Sequence, residues 1–376
     1  MSSVYIHIPF CERKCFYCDF YSITGRERVG IFLDALRREI ELSKDRFAGD
    51  TIETIFFGGG TPSLLTPSQV ENIIGQIYKN ADVANNVETT IEVNPGTIDK
   101  QKLKGYISAG INRLSIGIQS FNDDELKFLQ RIHSSDDAER AILDAQECGI
   151  GNCSIDLIYA LPYQTPVQWQ AILAKALSFH PQHISAYSLI VEEDTPLASK
   201  VLLKEILPLA DDEEAAMYAM TMDVLRDAGY QHYEVSNYAL PGYACRHNAN
   251  YWNHSNYIGV GPSAHSFMDG KRWWNVRDVD SYCNRLSGNK PAVAGEEILT
   301  EQQMFEEAIM LGLRTGELIC SQLRAKFQVD IMQQAGPMIR MFIKENLVSL
   351  EKDRIRLTEK GFLLCDEIIE RLLTVV

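Results

Sequence analysis

The chain lacks any apolar run close to the roughly 20 residues that a membrane-spanning helix needs. It also lacks a basic segment ahead of its first apolar residues, so the start MSSVYIHIPFC does not resemble a secretory signal peptide. Nine cysteines without such a signal favour a reducing compartment, in which thiols stay free. We therefore expect a cytoplasmic protein.

Positive charge is also scarce, because 36 Lys and Arg stand against 51 Asp and Glu, which gives a net charge of −15. Nucleic acids and anionic lipids are bound by concentrated Lys and Arg. Nucleic acid is therefore excluded as a main partner, and we expect membrane contact only through another protein. The run Gly58-Gly59-Gly60 does not have the G-x-G-x-x-G spacing of a dinucleotide site, so nicotinamide binding is not expected.

What the sequence does have, close to its start, is Cys11, Cys15 and Cys18 in a C-x-x-x-C-x-x-C spacing. Thiolates select zinc, copper(I) or iron–sulfur clusters. A four-iron cluster normally takes four cysteines, and Phe20 stands where a nearby fourth would fall. Three ligands leave one iron open, as in catalytic metal centres. A structural zinc knuckle or buried thiols are the alternatives, although zinc sites favour paired C-x-x-C units.

This spacing resembles the signature of the radical S-adenosylmethionine (SAM) superfamily. The resemblance implies that Cys11, Cys15 and Cys18 hold a [4Fe–4S] cluster and that the amino acid end of SAM chelates the open iron. It also implies an electron donor, since one electron from the cluster cleaves SAM to a 5′-deoxyadenosyl radical.

The first 200 residues alternate between β-branched or aromatic runs and segments with helical spacing. Such strand–helix units predict a parallel sheet with right-handed crossovers. The six units are fewer than the eight of a closed barrel. We therefore predict an α/β fold, an incomplete (β/α)6 partial barrel over residues 1–235. Its predicted strands are Val4–Ile8, Thr51–Phe57, Glu88–Val93, Asn112–Gln119, Cys153–Tyr159 and His183–Ile190.

The remaining chain divides into a predicted connector, residues 236–298, and a small, mostly helical C-terminal domain, residues 299–376. Strands at Leu347–Leu350 and Arg354–Leu357 give this domain a winged-helix-like pattern. From Cys320 onward it carries nine Lys and Arg and eight Asp and Glu, too few basic residues for a DNA reader. We expect it to act as a lid over the open barrel or to dock a partner. Its predicted helices are Thr300–Leu313, Ile319–Phe327, Met338–Asn346 and Gly361–Leu373.

Polar residues recur where the predicted strands end, which is the rim on which barrel enzymes build their sites. Glycines such as Gly59 and Gly60 let backbone amides approach a ligand. Glu92 lies in an apolar strand and needs a partner, for which a SAM ammonium or ribose hydroxyls would serve. Arg131 can fork onto a carboxylate, and Asp156 can accept from ribose hydroxyls. Each could instead be a satisfied structural polar group.

Five motifs in this order resemble the oxygen-independent coproporphyrinogen III oxidase family over essentially the whole chain. They are YIHIPFCERKCFYCDF, FFGGGTP, IEVNP, RLSIGIQSF and IDLIYALPYQT. By position, the resemblance implies SAM contacts for Tyr5, Tyr17, Gly59, Gly60, Thr61, Glu92, Gln119, Arg131 and Asp156.

Within this family, the oxidases carry a longer N-terminal segment and a further cysteine after the cluster motif. This sequence has neither and resembles instead the sister branch of heme chaperones, whose H-N-x-x-Y-W motif is His247-Asn248-Ala249-Asn250-Tyr251-Trp252. The resemblance implies heme contact at His247, Asn248, Tyr251 and Trp252. An aromatic core under a loop is the alternative, and His254 or His265 are other candidate ligands.

Our leading hypothesis is a heme chaperone that binds a [4Fe–4S] cluster, SAM and heme and delivers heme to heme-requiring proteins. The alternative is a radical SAM oxidase acting on coproporphyrinogen III or a related tetrapyrrole. A third hypothesis is a non-catalytic iron–sulfur binding module. Whether the protein is an enzyme is left open by the sequence.

Overall fold

The computed structural model describes residues 2–376, in which a 12-stranded sheet runs through most of the chain. Its strands are β1 (Ser2–Ile8), β2 (Thr51–Gly59), β3 (Asp82–Val93), β4 (Arg113–Gln119), β5 (Cys153–Tyr159), β6 (His183–Ser188), β7 (Gln231–Glu234), β8 (Asn237–Ala239), β9 (Asn256–Val260), β10 (His265–Met268), β11 (Lys271–Asn275) and β12 (Val293–Ile298).

Strands β1 to β6 lie side by side in chain order, and every neighbouring pair among them is parallel. The complete order is β12-β11-β10-β9-β1-β2-β3-β4-β5-β6-β8-β7. In the described part of the chain the edge strands β12 and β7 do not pair with each other. The predicted incomplete α/β barrel is confirmed, and its six predicted strands are all present.

Helices follow the parallel strands as crossovers. Several begin at capping boxes. In α3, for example, the Thr66 hydroxyl accepts from the Gln69 amide, the Gln69 side chain accepts from the Thr66 amide, and Pro67 occupies the first helical position. The helices of residues 2–376 are α1 (Val29–Leu42), α2 (Lys44–Phe47), α3 (Pro67–Asn80), α4 (Lys100–Ser108), α5 (Asp123–Phe128), α6 (Ser135–Glu147), α7 (Pro166–Ser178), α8 (Pro196–Leu202), α9 (Asp211–Asp227), α10 (Arg246–Trp252), α11 (Val279–Ser287), α12 (Glu301–Arg314), α13 (Cys320–Phe327), α14 (Ile331–Gln334), α15 (Gly336–Lys344), α16 (Glu359–Leu363) and α17 (Cys365–Leu373).

The main core lies between the sheet and these helices. The β-branched side chains of β1, including Val4, Ile6 and Ile8, are fully buried there. Each fully buried side chain of this kind contributes about 1.5–3 kcal/mol of hydrophobic stabilisation. The packing of apolar helix faces on the sheet therefore fixes the strand register, and the register sets where the rim loops begin.

Residues 231–298, which include the whole predicted connector, extend the sheet at both edges. Strands β7 and β8 add to the edge formed by β6, and β9 pairs in parallel with β1 and carries β10 to β12 beyond it. These strands were not predicted, because they are short and their side chains do not alternate cleanly between apolar and polar. The division of the chain at residues 235 and 298 remains a prediction.

The C-terminal region has its own apolar core, built around buried residues such as Ile309, Phe342 and Ile368. Two details differ from the prediction. A third strand joins the wing, and the helix predicted at Gly361–Leu373 is two helices, α16 and α17. The wing strands are β13 (Glu317–Ile319), β14 (Val348–Glu351) and β15 (Arg354–Leu357).

The role of the C-terminal region as a lid over the open barrel or as a docking domain remains a prediction. The region packs against the edge of the sheet formed by β7 and β8. There the Val235 amide donates to Arg314 O at 3.0 Å, and the Phe362 ring lies 4.2 Å from the His232 ring. Phe362 packs against the apolar cores of both the barrel and the C-terminal region, so this contact joins the two.

Across residues 2–376, the structure contains no helix with both the length and the apolar character required to cross a membrane.

Buried Glu39 of α1 holds the added edge of the sheet to the barrel. Its carboxylate accepts hydrogen bonds from the Tyr282 hydroxyl at 2.6 Å, the Gly261 amide at 2.7 Å and the Asn275 side-chain amide at 2.6 Å. Glu39→Ala leaves buried donors without an acceptor, so we predict a loss of about 3–5 kcal/mol in the free energy of unfolding. Urea denaturation measures it. Asp34→Ala, which removes an exposed acidic side chain from the same helix, is the control and should cost less than about 1 kcal/mol.

Candidate functional site

The loop that carries the three cysteines is fastened to the loop that follows β2. The Gly60 amide donates to Ile8 O at 2.8 Å, and the Thr61 amide donates to Phe10 O at 2.7 Å. Behind these contacts, the two-residue strand Phe10–Cys11 pairs in parallel with Ile23–Thr24 and closes the cysteine loop. Cys11 is thereby held at the carboxyl ends of β1 and β2, which form the rim that the sequence predicted to carry the site.

Cys11, Cys15 and Cys18 are all free and partly exposed. Burial raises the pKa of the Cys18 thiol to about 11, so it is protonated at neutral pH and must release its proton to bind a metal. No three His, Cys, Asp or Glu side chains of residues 2–376 converge on a single ion. In a four-iron cluster, however, each cysteine binds a different iron, so three thiols spread along one loop fit such a cluster.

The glycine run beside the cysteines forms a cradle that side chains would fill. A Cβ on Gly60 would lie 2.8 Å from Phe10 O, 2.9 Å from Ile8 O and 3.1 Å from Cys11 Sγ. Gly59 has φ of +110°, and a Cβ there would lie 2.6 Å from the His7 ring. Only glycine allows the two loops to approach this closely.

Glu92, at the end of β3, is a buried carboxyl directed at this cradle. Its Oε2 accepts from the Gly59 amide at 3.1 Å. Burial and, to a smaller extent, the nearby Asp156 carboxyl raise the pKa of Glu92 to about 8, although the Gly59 hydrogen bond opposes the shift. Tyr5 lies against the same place, 2.9 Å from where a Gly58 Cβ would be. A bound cation would stabilise the ionised carboxylate, which fits the ammonium or sulfonium of SAM.

A chain of polar contacts links the cysteines across the rim. The Arg131 guanidinium lies 3.9 Å from Cys15 Sγ and donates to Asn94 Oδ1 and, at 2.8 Å, to Gly117 O. Asn94 Nδ2 donates to Thr61 Oγ1 at 3.1 Å, and the Thr61 hydroxyl lies 3.5 Å from Cys11 Sγ. Asn94, two residues after Glu92, was expected from the sequence to lie on the polar rim but was not predicted to contact SAM.

Arg131 also keeps one donor for a ligand. Within residues 2–376 its buried Nε has no hydrogen-bond partner. Tyr17 lies beside it, where burial raises the pKa of the Tyr17 hydroxyl and the guanidinium opposes that shift. An unpartnered buried guanidinium donor suits an anionic group such as the carboxylate of SAM.

Gln119 and Asp156 are held in different ways. Gln119 has φ of +67°, a strained conformation for a residue other than glycine, of the kind found at ligand sites. Asp156 is buried and accepts from the Ser115 hydroxyl at 2.8 Å and the Ser154 hydroxyl at 3.0 Å. Burial raises the pKa of Asp156, although these serines oppose the shift. Asp156 is thus already hydrogen-bonded, and its contact with SAM stays a prediction.

The H-N-x-x-Y-W segment forms α10 and lies at the opposite end of the barrel, where the strands begin. His247 is buried there. Its Nδ1 lies 2.7 Å from Thr54 Oγ1, its Nε2 lies 3.0 Å from the Tyr251 hydroxyl, and its amide donates to Glu88 Oε1 at 3.2 Å. Burial lowers the pKa of His247 to about 3. In this arrangement both ring nitrogens are engaged, so ligation of heme iron by His247 would require one of these contacts to break.

Trp252, at the end of α10, faces away from the barrel. It lines a cavity of about 500 Å³ between the barrel end and the C-terminal region, together with Tyr233, Arg356 and Phe362. Its buried Nε1 has no hydrogen-bond partner within residues 2–376. Asn248 is half-buried on the same helix. A cavity of this volume falls within the range of small-molecule sites.

The two other candidate histidines lie on the added edge of the sheet. His254 stacks on Phe267 with ring centroids 4.6 Å apart, and its Nε2 lies 3.1 Å from Glu307 Oε2. His265 is exposed and stacks on Trp274 at 6.0 Å. The structure therefore separates the candidate heme residues into an α10 group and an edge-strand group, and it brings neither to the cysteine rim.

Comparisons with known proteins agree with this architecture. The family model described as Radical SAM superfamily matches residues 5–176, and the HemN C-terminal domain model matches residues 299–364. The heme chaperone HemW of Lactococcus lactis is 34% identical over 99% of this chain and 97% of its own. HemW of Bacillus subtilis is 34% identical, with 98% of each chain covered.

A solved structure shows the same fold over the full length. Coproporphyrinogen III oxidase (HemN) from Escherichia coli superimposes with a TM-score of 0.86, covering 100% of this chain and 90% of the other, at 24% sequence identity. At that identity the likeness establishes the fold alone.

Glu92→Gln should separate stability from ligand binding. The folded-state pKa lies above the unfolded value, so the stabilising contribution of protonated Glu92 is complete below about pH 4 and is lost as the pH rises through about 8. We predict that ligand-free Glu92→Gln equals the native chain near pH 4 and exceeds it by about 2–4 kcal/mol near pH 8. Denaturant titrations across this range measure it.

The same variant should bind SAM more weakly, since a neutral amide cannot pair with a cation. Isothermal titration on anaerobically reconstituted protein measures this affinity, and the exposed Glu71→Gln serves as control. A variant that is less stable than the native chain at pH 8, or that binds SAM equally well, would contradict the role given to Glu92.

Proposed function

The chain belongs to the heme chaperone HemW family within the radical SAM superfamily, and on that premise we propose that it binds a [4Fe–4S] cluster, SAM and heme and passes heme to heme-requiring proteins. The observation that carries this proposal is the match to curated heme chaperones along nearly the whole length of both chains, with the three-cysteine loop present.

At the rim, we propose that Cys11, Cys15 and Cys18 hold the cluster. When bound, the cluster supplies one-electron chemistry to SAM at its open iron. The remaining residues bind and orient SAM: Gly59 and Gly60 keep the glycine loop close to the cysteine loop at the edge of the site, and Arg131 Nε holds an anionic group. The proposed SAM contacts are Tyr5, Tyr17, Gly59, Gly60, Thr61, Glu92, Gln119, Arg131 and Asp156.

At the other end of the barrel, we place heme in the cavity beside Trp252. Trp252 and Tyr233 offer flat apolar faces. Arg356 is a basic side chain on the cavity wall that is paired with Glu317 and Glu351, each at 3.1 Å, so it would have to exchange one of these carboxylates to pair with a propionate. Trp252 Nε1 adds an unpartnered donor. His247 is proposed as a positioning residue, because its contacts with Thr54 and Glu88 hold α10, and therefore Trp252, in place.

We further propose a cytoplasmic location, an electron donor for the cluster, no nucleic-acid partner and membrane contact only through another protein. Free cysteines across residues 2–376 support a reducing compartment. The excess of acidic over basic residues disfavours anionic partners. Oxidation of coproporphyrinogen is not proposed, because the likeness to the E. coli oxidase is one of fold and the nearer relatives are heme chaperones.

Heme titration tests the proposal. We predict that the purified native chain retains about one heme per chain through gel filtration, and that Trp252→Ala weakens retention about 10-fold or more, since a buried aromatic anchor contributes about 2 kcal/mol. The control is Trp274→Ala on the edge strands. His265→Ala tests the other candidate ligand group.

Absence of retained heme in the native chain would remove the proposal. Loss of heme in the Trp274→Ala and His265→Ala variants alone would move the site to the edge strands. Formation of protoporphyrinogen from coproporphyrinogen III by the reconstituted protein, with dithionite and SAM under anaerobic conditions, would favour the oxidase instead.

A further inference from the structure

Large apolar side chains are concentrated on the surface directly after β6. We call the segment from Tyr187 to Leu207 the lip. Leu202 and Leu203 are 84% and 68% exposed, and Ile190 and Leu207 exceed 60%. Single exposed apolar residues are ordinary on a protein surface, but a cluster of them marks an interaction site.

The lip borders the mouth of the barrel. At the base of α8 the Leu197 amide donates to Phe16 O at 3.0 Å, which ties the lip to the cysteine loop. The neighbouring rim segments add exposed Phe20 from the cysteine loop and exposed Tyr163 from the loop after β5. Exposed apolar side chains are therefore present on three rim loops rather than on one.

Acidic residues surround this apolar surface. Residues 190–214 contain eight Asp and Glu and two Lys. Glu192, Glu193 and Asp194 are exposed, whereas Lys200 is paired with Glu205 at 3.0 Å. The negative charge repels heme propionates, anionic lipid and acidic electron carriers, and a second copy of this chain would bring the same charge. The complementary occupant has an apolar patch ringed by Lys and Arg.

Helix α9 connects the lip with the heme cavity proposed above. Near its start, Glu214 accepts from the Ser188 hydroxyl beside the lip, and near its end Arg226 pairs with Glu359 of the C-terminal region. Its 17 residues span about 25 Å. A protein of ordinary domain size, about 30 Å across, can therefore rest on the lip and also reach the cavity.

We propose that the lip is the docking surface for the heme-accepting protein, which binds through an apolar patch bordered by basic residues. This inference rests on the proposed function. It assigns the partner's position and surface chemistry, with the acidic residues steering encounter and the exposed leucines providing the buried contacts. The partner then faces the flank of the barrel along which heme would pass.

The test uses two variants expressed in the organism that encodes this chain. They are Leu202→Ser/Leu203→Ser/Leu207→Ser and Glu192→Lys/Glu193→Lys. We expect each to lower the heme content of cytochromes, measured by reduced-minus-oxidised spectra, about 10-fold, since loss of central interface anchors costs 1–2 kcal/mol or more. The purified variants should retain cluster, SAM and heme like the native chain, because the substituted side chains are exposed.

Matched controls change the same kinds of residue elsewhere. Tyr78→Ser/Leu143→Ser removes exposed apolar side chains from α3 and α6, and Glu71→Lys/Glu370→Lys reverses exposed charges. Both should leave cytochrome heme unchanged. A photo-crosslinking residue placed at Leu203 should trap a heme-requiring protein whose contact surface is basic.

Unchanged cytochrome heme in both lip variants would overturn the inference. So would loss of heme retention in the purified lip variants, which would make the lip a heme site, or crosslinks at Leu203 only to copies of this chain or to redox proteins that contain no heme. These outcomes differ from failure of the proposed function, in which the native chain itself retains no heme.

Discussion

The arrangement of the site depends on how closely the cysteine loop and the glycine loop approach each other. Two backbone hydrogen bonds, from Gly60 to Ile8 and from Thr61 to Phe10, bring them together, and a Cβ at Gly60 would collide with both acceptor oxygens. The Arg131–Asn94–Thr61 contacts then extend this attachment to the ends of β3 and β4. The positions of the thiols therefore follow from the register of the parallel strands, which the apolar core fixes.

One aromatic stack connects the two ends of the barrel. Tyr5, beside Glu92, stacks on Phe56 with ring centroids 6.2 Å apart, and Phe56 stacks on His247 at 4.9 Å. The SAM rim and the α10 segment thus share one packed core, although they lie at opposite ends of the strands. Tightly packed side chains transmit volume changes to their neighbours. We therefore expect a substitution at His247 to alter SAM binding through Tyr5 as well as heme binding.

The sequence alone was sufficient for the six parallel strands and the rim, because strands such as β2 and β5 are rich in β-branched and aromatic residues, and because parallel strands must place their carboxyl ends together. The sequence alone did not predict β11, because apolar and polar residues do not alternate regularly along Lys271–Asn275. The burial of His247 also could not be predicted, since its partner Thr54 lies 193 positions away. The role of Asn94 in linking Arg131 to Thr61 could not be predicted either, because these two residues follow other strands and contact Asn94 only in the folded chain.

The account's central claim is a three-cysteine cluster with one iron open to SAM. Iron and sulfide analysis combined with electron paramagnetic resonance on anaerobically reconstituted, reduced protein tests it most directly. The account predicts about four iron and four sulfide per chain, a spectrum that changes on addition of SAM, and loss of the signal in Cys15→Ala. Zinc in place of iron, or a spectrum indifferent to both SAM and the cysteine substitution, would contradict it.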